Sequence, residues 1–158
     1  MYYQLIQSPA GLILAAADDD ALLALKFINP PADAIDYGWS EAPNHPILNK
    51  TKQQLMSYFA GKLNKFKLPI RFKGSNFQQA VWQELLKIPF GQLSNYQEIA
   101  HQVGRPKAVR AVGTAIGRNP IEIIVPCHRV IASNGSLGGY APGPTYKKAL
   151  LALEDHQF

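Results

Sequence analysis

Cys127 is the single cysteine of the chain and lies in the segment 126–130, Pro-Cys-His-Arg-Val. A thiol attacks as its thiolate, which forms beside a base, a cation or a helix N-terminus. Here an imidazole and a guanidinium follow the thiol directly. The proline ends the apolar run 121–125 and places the cysteine in a loop, where functional residues concentrate. This context predicts a nucleophilic cysteine, although an isolated cysteine is more often buried and inert.

Other candidate ligands do not form a metal site. The four histidines, at positions 45, 101, 128 and 156, lack metal-ligand spacing, and one cysteine excludes an internal disulfide and a thiolate-rich zinc site. We predict no metal and no other cofactor. A lone thiol suits a reducing compartment, the N-terminus shows no signal-peptide pattern, and no apolar stretch is long enough to span a membrane. We therefore expect a cytoplasmic protein with no membrane partner.

The composition allows one domain or two small ones. The chain has 158 residues, of which 47% are hydrophobic, so it can bury a substantial core. Its net charge of +5 suits a polyanionic partner, but the basic excess is spread over both halves and is a weak signal by itself. Residues 62–75 carry five basic side chains and no acidic one, which we interpret as a solvated linker.

The N-terminal half alternates apolar runs with turn residues, which predicts an antiparallel three-stranded meander. The predicted strands are 2–7, 12–17 and 22–28. Residues 29–45 are rich in proline and glycine and are typical of an irregular crossover. A helix should begin at Pro46 and end at Gly61. We assign residues 1–75 to a small N-terminal α/β domain with its linker.

From residue 76 onwards the pattern becomes helical. The predicted helices are 77–88, then Ser94 or Asn95 to Val103, then 106–117, and finally 144–154. A short turn containing Gly104 joins the second and third of these, so they form a helix-turn-helix candidate whose later helix would face nucleic acid. Residues 76–158 are thus expected to form a mainly helical domain with a winged helix-turn-helix, and the whole chain an α+β fold.

The helix predicted over 106–117 has two different faces. A helical wheel places Val109, Val112 and Ile116 on an apolar face. The other face is basic and carries small side chains: Lys107, Arg110, Ala111, Thr114 and Arg118. Small side chains would let this helix approach a nucleic-acid groove closely, or they would serve only helix packing; the pattern leaves both open.

Glu154 falls on the apolar face of the last predicted helix, with Leu150, Leu151 and the aliphatic stem of Lys147. Burying a carboxylate without a partner costs several kcal/mol, on the order of the penalty for an unpaired charge. Either a partner is present, or this end of the helix is frayed and solvated.

Several segments together resemble the O6-alkylguanine-DNA alkyltransferase family, also called methylated-DNA-protein-cysteine methyltransferases. The matching segments are 58–61 (Tyr-Phe-Ala-Gly), 77–82, 88–91, 96–100, 107–113, 119–120, 126–131, 138–140 and 150–154. The resemblance is dense from residue 77 to 154 and looser before it. It implies an N-terminal α/β domain and a C-terminal helical domain that binds DNA.

The resemblance also assigns chemical roles. Cys127 would take the methyl or other alkyl group from O6 of guanine, and from O4 of thymine, forming a thioether that ends the protein's activity after one event. His128 would accept the thiol proton through a water, and Glu154 would orient the imidazole. This relay predicts a lowered pKa for the thiol. Tyr96 would donate a proton to the departing guanine, and Asn119 would support the turn beside the cysteine.

In this family the later helix of the helix-turn-helix enters the minor groove of double-stranded DNA. By resemblance, Arg110 fills the stack when the damaged nucleotide is extruded. Further DNA contacts are expected from Lys107, Ala111, Thr114 and Tyr96. The alkyl pocket is expected to be lined by Ile116, Val130, Tyr140, Ala141 and Pro142. We expect Arg129 to be a buried support for the cysteine loop, and the protein to act as a monomer.

The chain departs from the family at Pro142, where glycine is common. Proline fixes φ and removes an amide donor, so the loop over the pocket should be stiffer. Three other functions remain as alternatives: a non-catalytic protein that binds alkylated DNA, a transcription factor, and a cysteine hydrolase. Non-catalytic proteins that bind alkylated DNA lack the cysteine, and transcription factors usually add a dimerisation element. A cysteine hydrolase needs a labile acyl intermediate.

Overall fold

The computed structural model describes residues 1–29 and 38–158. The chain forms two compact units, Met1–Phe72 and Lys73–Phe158. Much of the predicted crossover, residues 30–37, lies outside the described residues.

A four-stranded sheet forms the centre of the first unit. Its strands are β1 (Tyr2–Ser8), β2 (Gly11–Ala17), β3 (Leu22–Phe27) and β4 (Ser40–Glu41), in the order β3-β2-β1-β4. The first three are antiparallel, with Leu5 opposite Leu14 and Ile13 opposite Phe27, so the predicted meander is confirmed. Strand β4 runs parallel to β1 and was not predicted, since two residues are too short to show alternation.

Helix α1 (Pro46–Phe59) packs on β1 and β2. Its proline occupies the first turn, where no amide hydrogen is needed, and the ring of His45 caps it by accepting from the amide of Leu48. Its buried residues are Leu48, Thr51, Leu55 and Tyr58. The helix ends before Gly61, which has a φ of +74°.

The basic segment that follows α1 is not simply a solvated linker. Its lysines at 62, 65 and 67 are exposed, as expected. Its end, however, is fixed to β3, because Leu22 donates to the carbonyl of Pro69 and accepts from the amide of Arg71. Arg71 also forms an ion pair with Asp18.

Four helices build the second unit: α2 (Asn76–Leu85), α3 (Tyr96–Gln102), α4 (Val109–Gly117) and α5 (Pro144–Leu153). A capping box at Ser75 begins α2, and the side chain of Asn95 caps α3. The indole of Trp82 donates to the carbonyl of Ala115 (2.9 Å) and so connects α2 to α4 inside the core.

Helix α4 begins later than its sequence predicts. Residues 105–108 form a turn, in which the amide of Ala108 donates to the carbonyl of Arg105, so Pro106 and Lys107 precede the helix. Two short strands pair in parallel: β5 (Ser94–Asn95), directly before α3, and β6 (Val130–Ile131), after the cysteine turn. Among the described residues, no helix is both long enough and apolar enough to cross a lipid bilayer.

Candidate active site

A cavity of about 280 Å³ opens in the second unit beside Cys127. It is lined by Tyr96, Gly113, Ile116, Gly117, Asn119, Glu122, Cys127, Gly139, Tyr140 and Ala141. These residues come from the start of α3, the end of α4, the segment before the cysteine and the loop after β6. Sequence-distant segments therefore form one pocket around the thiol.

Cys127 begins a single 3-10 turn and is 5% exposed. The side-chain amide of Asn119 donates both to its sulfur (3.2 Å) and to the carbonyl of Val125 (2.8 Å). The Asn119 oxygen accepts from the amide of Ile121 (3.0 Å). Asn119 thus holds the segment that leads to the cysteine and also contacts the nucleophile.

Burial raises the pKa of the Cys127 thiol to about 12. The hydrogen bond from Asn119 and the charge of Lys147 lower this pKa, whereas the carboxylate of Glu122 raises it further. The expectation of a lowered thiol pKa is therefore wrong for the free protein. Desolvation of the thiolate outweighs the stabilising contacts, so the thiol must lose its proton to a base during the reaction.

Glu154 lies at the centre of a buried hydrogen-bond network. Its carboxylate is 2.7 Å from Nε2 of His128 and accepts from Nε of Arg129 (2.7 Å), Nη2 of Arg129 (3.2 Å) and the amide of Gly91 (3.0 Å). Burial alone would raise the pKa of this carboxyl, but the hydrogen bonds from His128 and Arg129 hold it well below its usual range. Glu154 is 1% exposed, so the frayed-helix alternative is wrong.

His128 is poised to accept a proton. Burial lowers the pKa of its fully buried imidazole, and the hydrogen bond and charge of Glu154 oppose that shift only in part. The ring is therefore neutral near pH 7. Because the Glu154 carboxylate only accepts, Nε2 carries the ring proton and Nδ1 presents a lone pair. Within the described part of the chain, Nδ1 has no hydrogen-bond partner.

Arg129 is the buried support that the sequence predicts. Besides Glu154 it binds the carbonyl of Ile88 through Nη1 (2.7 Å), and its guanidinium lies over the ring of Phe90 at 5.9 Å. Arg129 thereby connects the turn after α2 to the 3-10 turn that contains Cys127 and His128.

Lys147 is an active-site element that the sequence reasoning missed. It is fully buried, and its ammonium donates to the carbonyls of Val130 (2.7 Å) and Gly139 (2.9 Å). Burial lowers its pKa to about 8. Its place on the apolar face of α5, seven residues before Glu154, was the available signal, since a fully buried lysine needs polar partners.

Tyr96 lines the cavity from the first turn of α3. Its hydroxyl accepts from the amide of Gly139 (3.2 Å). Burial raises the pKa of this phenol, so the hydroxyl stays protonated near neutral pH and can donate its hydrogen. Gly138, with a φ of +74°, lies so close that a Cβ added there would be 3.0 Å from the hydroxyl.

Three of the five predicted pocket residues line the cavity: Ile116, Tyr140 and Ala141. Val130 does not, because its side chain is fully buried and its backbone pairs with Ser94 in the β5–β6 ladder. Pro142 is half-buried and also lies outside the lining, so any effect on the alkyl group must act through the loop.

Apart from Tyr96, the predicted DNA-contacting residues of the helix-turn-helix do not line the cavity. Arg110, Ala111 and Thr114 are exposed on α4, and Lys107 is exposed in the preceding turn. The Thr114 hydroxyl donates to the carbonyl of Arg110 within the helix (3.2 Å). On the opposite face, Val112 and Ile116 are buried, as the wheel predicts.

A buried cysteine beside a neutral imidazole, in a unit that also carries a helix-turn-helix, defines a class of DNA-binding protein with a nucleophilic thiol. Residues 76–156 match the DNA binding domain of 6-O-methylguanine DNA methyltransferase, and residues 1–72 match its ribonuclease-like domain. The chain belongs to the 6-O-methylguanine DNA methyltransferase family.

Individual relatives are similar over nearly the whole chain. The methylated-DNA–protein-cysteine methyltransferase of Methanosarcina barkeri is 46% identical, over 99% of this chain and 98% of that protein. Its namesake from Mycolicibacterium paratuberculosis is 44% identical, over 96% and 91%. A crystal structure of Mycobacterium tuberculosis OGT in complex with DNA is 43% identical, with a TM-score of 0.90 over 98% of this chain and 92% of that one. The predicted family, α+β fold and methyltransferase activity are confirmed.

Proposed function

We propose that this protein repairs double-stranded DNA by moving the alkyl group from O6 of guanine to Cys127, once per molecule. The observation that carries the proposal is the placement of Cys127 in a cavity wall, within a unit that presents the exposed helix α4. We assign both DNA binding and alkyl transfer to residues 76–158.

The transfer is an in-line displacement at the alkyl carbon. The Sγ–carbon bond forms as the carbon–O6 bond breaks, and the electron pair of that bond leaves with the guanine. The thiol proton passes to Nδ1 of His128, through a water molecule, and the imidazolium so formed is stabilised by Glu154. The phenol of Tyr96 supplies the proton that the departing guanine requires.

A thiol with a high pKa suits this mechanism. Because the free protein keeps the sulfur protonated, it is protected from other electrophiles until a substrate and a proton acceptor are both in place. The thioether product has no leaving group, so the acceptor cannot be regenerated by hydrolysis.

The damaged nucleotide must leave the duplex to reach the sulfur. We assign entry into the minor groove to α4 and the filling of the vacated stack to Arg110, which is exposed on that helix. Lys107, Ala111 and Thr114 share the exposed surface and would contact the backbone and groove. Transfer from O4 of thymine, action as a monomer and a cytoplasmic location complete the proposal.

Intact-mass measurement tests the proposal directly. After incubation with a duplex that contains 6-O-methylguanine, the protein should gain one methyl group, confined to Cys127, and repair should stop at one event per molecule. Cys127→Ser should still bind the duplex but gain no methyl group. Sustained turnover would contradict the mechanism, and binding without any transfer by the wild-type protein would support the non-catalytic alternative.

A further inference from the structure

Glu122 is a carboxylate in the cavity wall that the transfer mechanism does not use. Its neighbours Ile121, Ile123 and Val125 are buried and apolar, whereas Glu122 is 7% exposed and lines the cavity with Cys127. Glu122 therefore places a carboxylate at the wall of the cavity that receives the transferred group.

The backbone around Glu122 is held in a defined turn. Its carbonyl accepts from the amide of Ile124 (2.8 Å), and the amide of Val125 donates to the carbonyl of Ile121 (3.0 Å). Between them Ile123 adopts a φ of +72°, a left-handed conformation that is costly for a β-branched residue. The fold therefore keeps a strained residue beside Glu122, and this keeps the carboxylate's backbone at the cavity wall.

The field of Glu122 reaches the sulfur and opposes the activation of Cys127. Its negative charge adds to burial in raising the pKa of the thiol, whereas Lys147, whose ammonium is bound to two carbonyls, acts in the opposite direction. Glu122 therefore does not help to form the nucleophile, but its charge also acts on any group that enters the cavity it lines.

The sulfur marks the position of the transferred group. When the alkyl carbon bonds to Sγ, the first atom of a substituent on that carbon lies two bonds from the sulfur, and the oxygens of a carboxylate there lie three bonds from it. A negative charge on that substituent would occupy nearly the same place as the charge of the thiolate. It would meet the same adverse field from Glu122, which is screened less between buried groups than in bulk water.

Resting on the proposed function, we propose that Glu122 is a specificity-determining residue that makes the cavity favour neutral O6-alkyl groups over anionic ones. Methyl and other uncharged alkyl groups are the accepted class. Carboxymethyl, which carries a carboxylate on the transferred carbon, is the disfavoured class, because it brings two carboxylates into one small site.

The test compares two adducts of nearly equal shape. Duplexes carry carboxymethyl, or its neutral counterpart carboxamidomethyl, on O6 of one guanine, and single-turnover rates of transfer to Cys127 are followed by intact mass. Glu122→Gln should lower the ratio of the carboxamidomethyl rate to the carboxymethyl rate by about tenfold, the change equivalent to one pKa unit. Intrinsic differences in reactivity cancel because each ratio is compared with that of the wild type.

Glu84→Gln is the matched control, because Glu84 of α2 pairs with Lys87, just after that helix, and does not line the cavity. Its ratio should equal that of the wild type. Glu122→Ala is a second neutral variant, in case the amide disturbs folding, and should change the ratio in the same direction as Glu122→Gln.

Two failures can be told apart with a third duplex that carries 6-O-methylguanine. If the wild-type protein transfers methyl but the ratio is the same with and without Glu122, the inference about Glu122 is overturned and the proposed function stands. If the wild-type protein transfers no methyl group to Cys127, the proposed function itself is overturned.

Discussion

Burial and hydrogen bonding compete at Cys127, and burial prevails. The thiol is almost completely buried, and its pKa is about 12. Because the thiolate fraction falls about tenfold for each pH unit below the pKa, fewer than about a thousandth of the molecules hold a thiolate near pH 7. The proposed proton acceptor for this thiol is His128. Its hydrogen bond to Glu154 leaves Nδ1 of the neutral ring as an acceptor. Reactivity therefore depends on proton transfer in the complex, not on a preformed thiolate.

The free protein should accordingly show no Cys127 thiolate at neutral pH. We expect the ultraviolet difference spectrum between the wild type and Cys127→Ser to lack the thiolate band up to about pH 9, the ordinary pKa of a thiol. The Cys127→Ser subtraction removes the contribution of the tyrosines. A thiolate band that appears between about pH 5 and 7 would show that the relay ionises the thiol at rest.

At the level of elements, the loop after β6 is joined to the rest of the site at Gly139. Its carbonyl accepts from Lys147 on α5, and its amide donates to Tyr96 on α3. Gly138 must have no side chain because its backbone is left-handed and because Tyr96 lies against it. The loop thus forms a pocket wall only through contacts with two helices.

Two glycines of this loop separate strain from crowding. Gly135→Ala and Gly138→Ala both place a side chain on left-handed backbone, at a cost of about 1–2 kcal/mol each. A Cβ at Gly135 meets nothing within 4 Å, whereas one at Gly138 lies 3.0 Å from the Tyr96 hydroxyl. We expect a larger loss of unfolding free energy in Gly138→Ala, where close contacts add to the strain, and slower methyl transfer only in that variant. Equal transfer rates in the two variants would mean that Tyr96 need not hold this position.

Helix α4 has an exposed face, to which we assign the contacts with DNA, and its end lines the cavity. Arg110→Ala should slow repair of 6-O-methylguanine in a duplex by about ten- to a hundredfold more than it slows reaction with free 6-O-benzylguanine, because only the duplex requires unstacking at a few kcal/mol. Lys148→Ala, which removes an exposed cation from α5, is the control. Equal losses on both substrates would assign Arg110 to the pocket or the fold.

At the scale of the whole molecule, Glu154 belongs both to the proposed proton relay and to the packing of the second unit. One carboxylate connects α5 with the cysteine turn and with the turn at Gly91, and His156 binds the carbonyl of the same glycine (2.8 Å). Removing the charge would leave the Arg129 guanidinium buried without its anion. The network that orients the imidazole therefore also holds the second unit together.

Glu154→Gln should lose about 3–5 kcal/mol of unfolding free energy near pH 7, as expected when one partner of a buried ion pair is removed. The folded-state pKa of Glu154 lies below its ordinary value of 4.5, so its stabilisation is fully present above about pH 4.5 and is lost as the pH falls through the folded-state pKa. Urea unfolding near pH 7 and well below about pH 4.5 should show that the difference in unfolding free energy between variant and wild type shrinks in acid. Glu84→Gln, at an exposed pair, should lose no more than about 1 kcal/mol.

Local patterns in the sequence determined most of the elements and the nucleophile. Alternation of apolar residues predicted the first three strands, and Asn95, one of the two predicted starts of α3, caps that helix, because both effects act over a few residues. The Pro-Cys-His-Arg-Val segment placed the thiol beside an imidazole by covalent connection alone. Local patterns also predicted that α4 begins at residue 106, whereas it begins at Val109, because the turn at 105–108 depends on how the helices meet.

Only the tertiary structure decided how the reactive groups behave. His128 and Glu154 lie 26 residues apart, and Lys147 reaches Val130 across 17, so no local pattern fixes those contacts. The pKa of Cys127 was expected to be low from its neighbours and is high, because desolvation depends on everything packed around the sulfur. Sequence supplies the chemical groups, whereas packing sets their distances and their solvent, and these determine which group carries the proton.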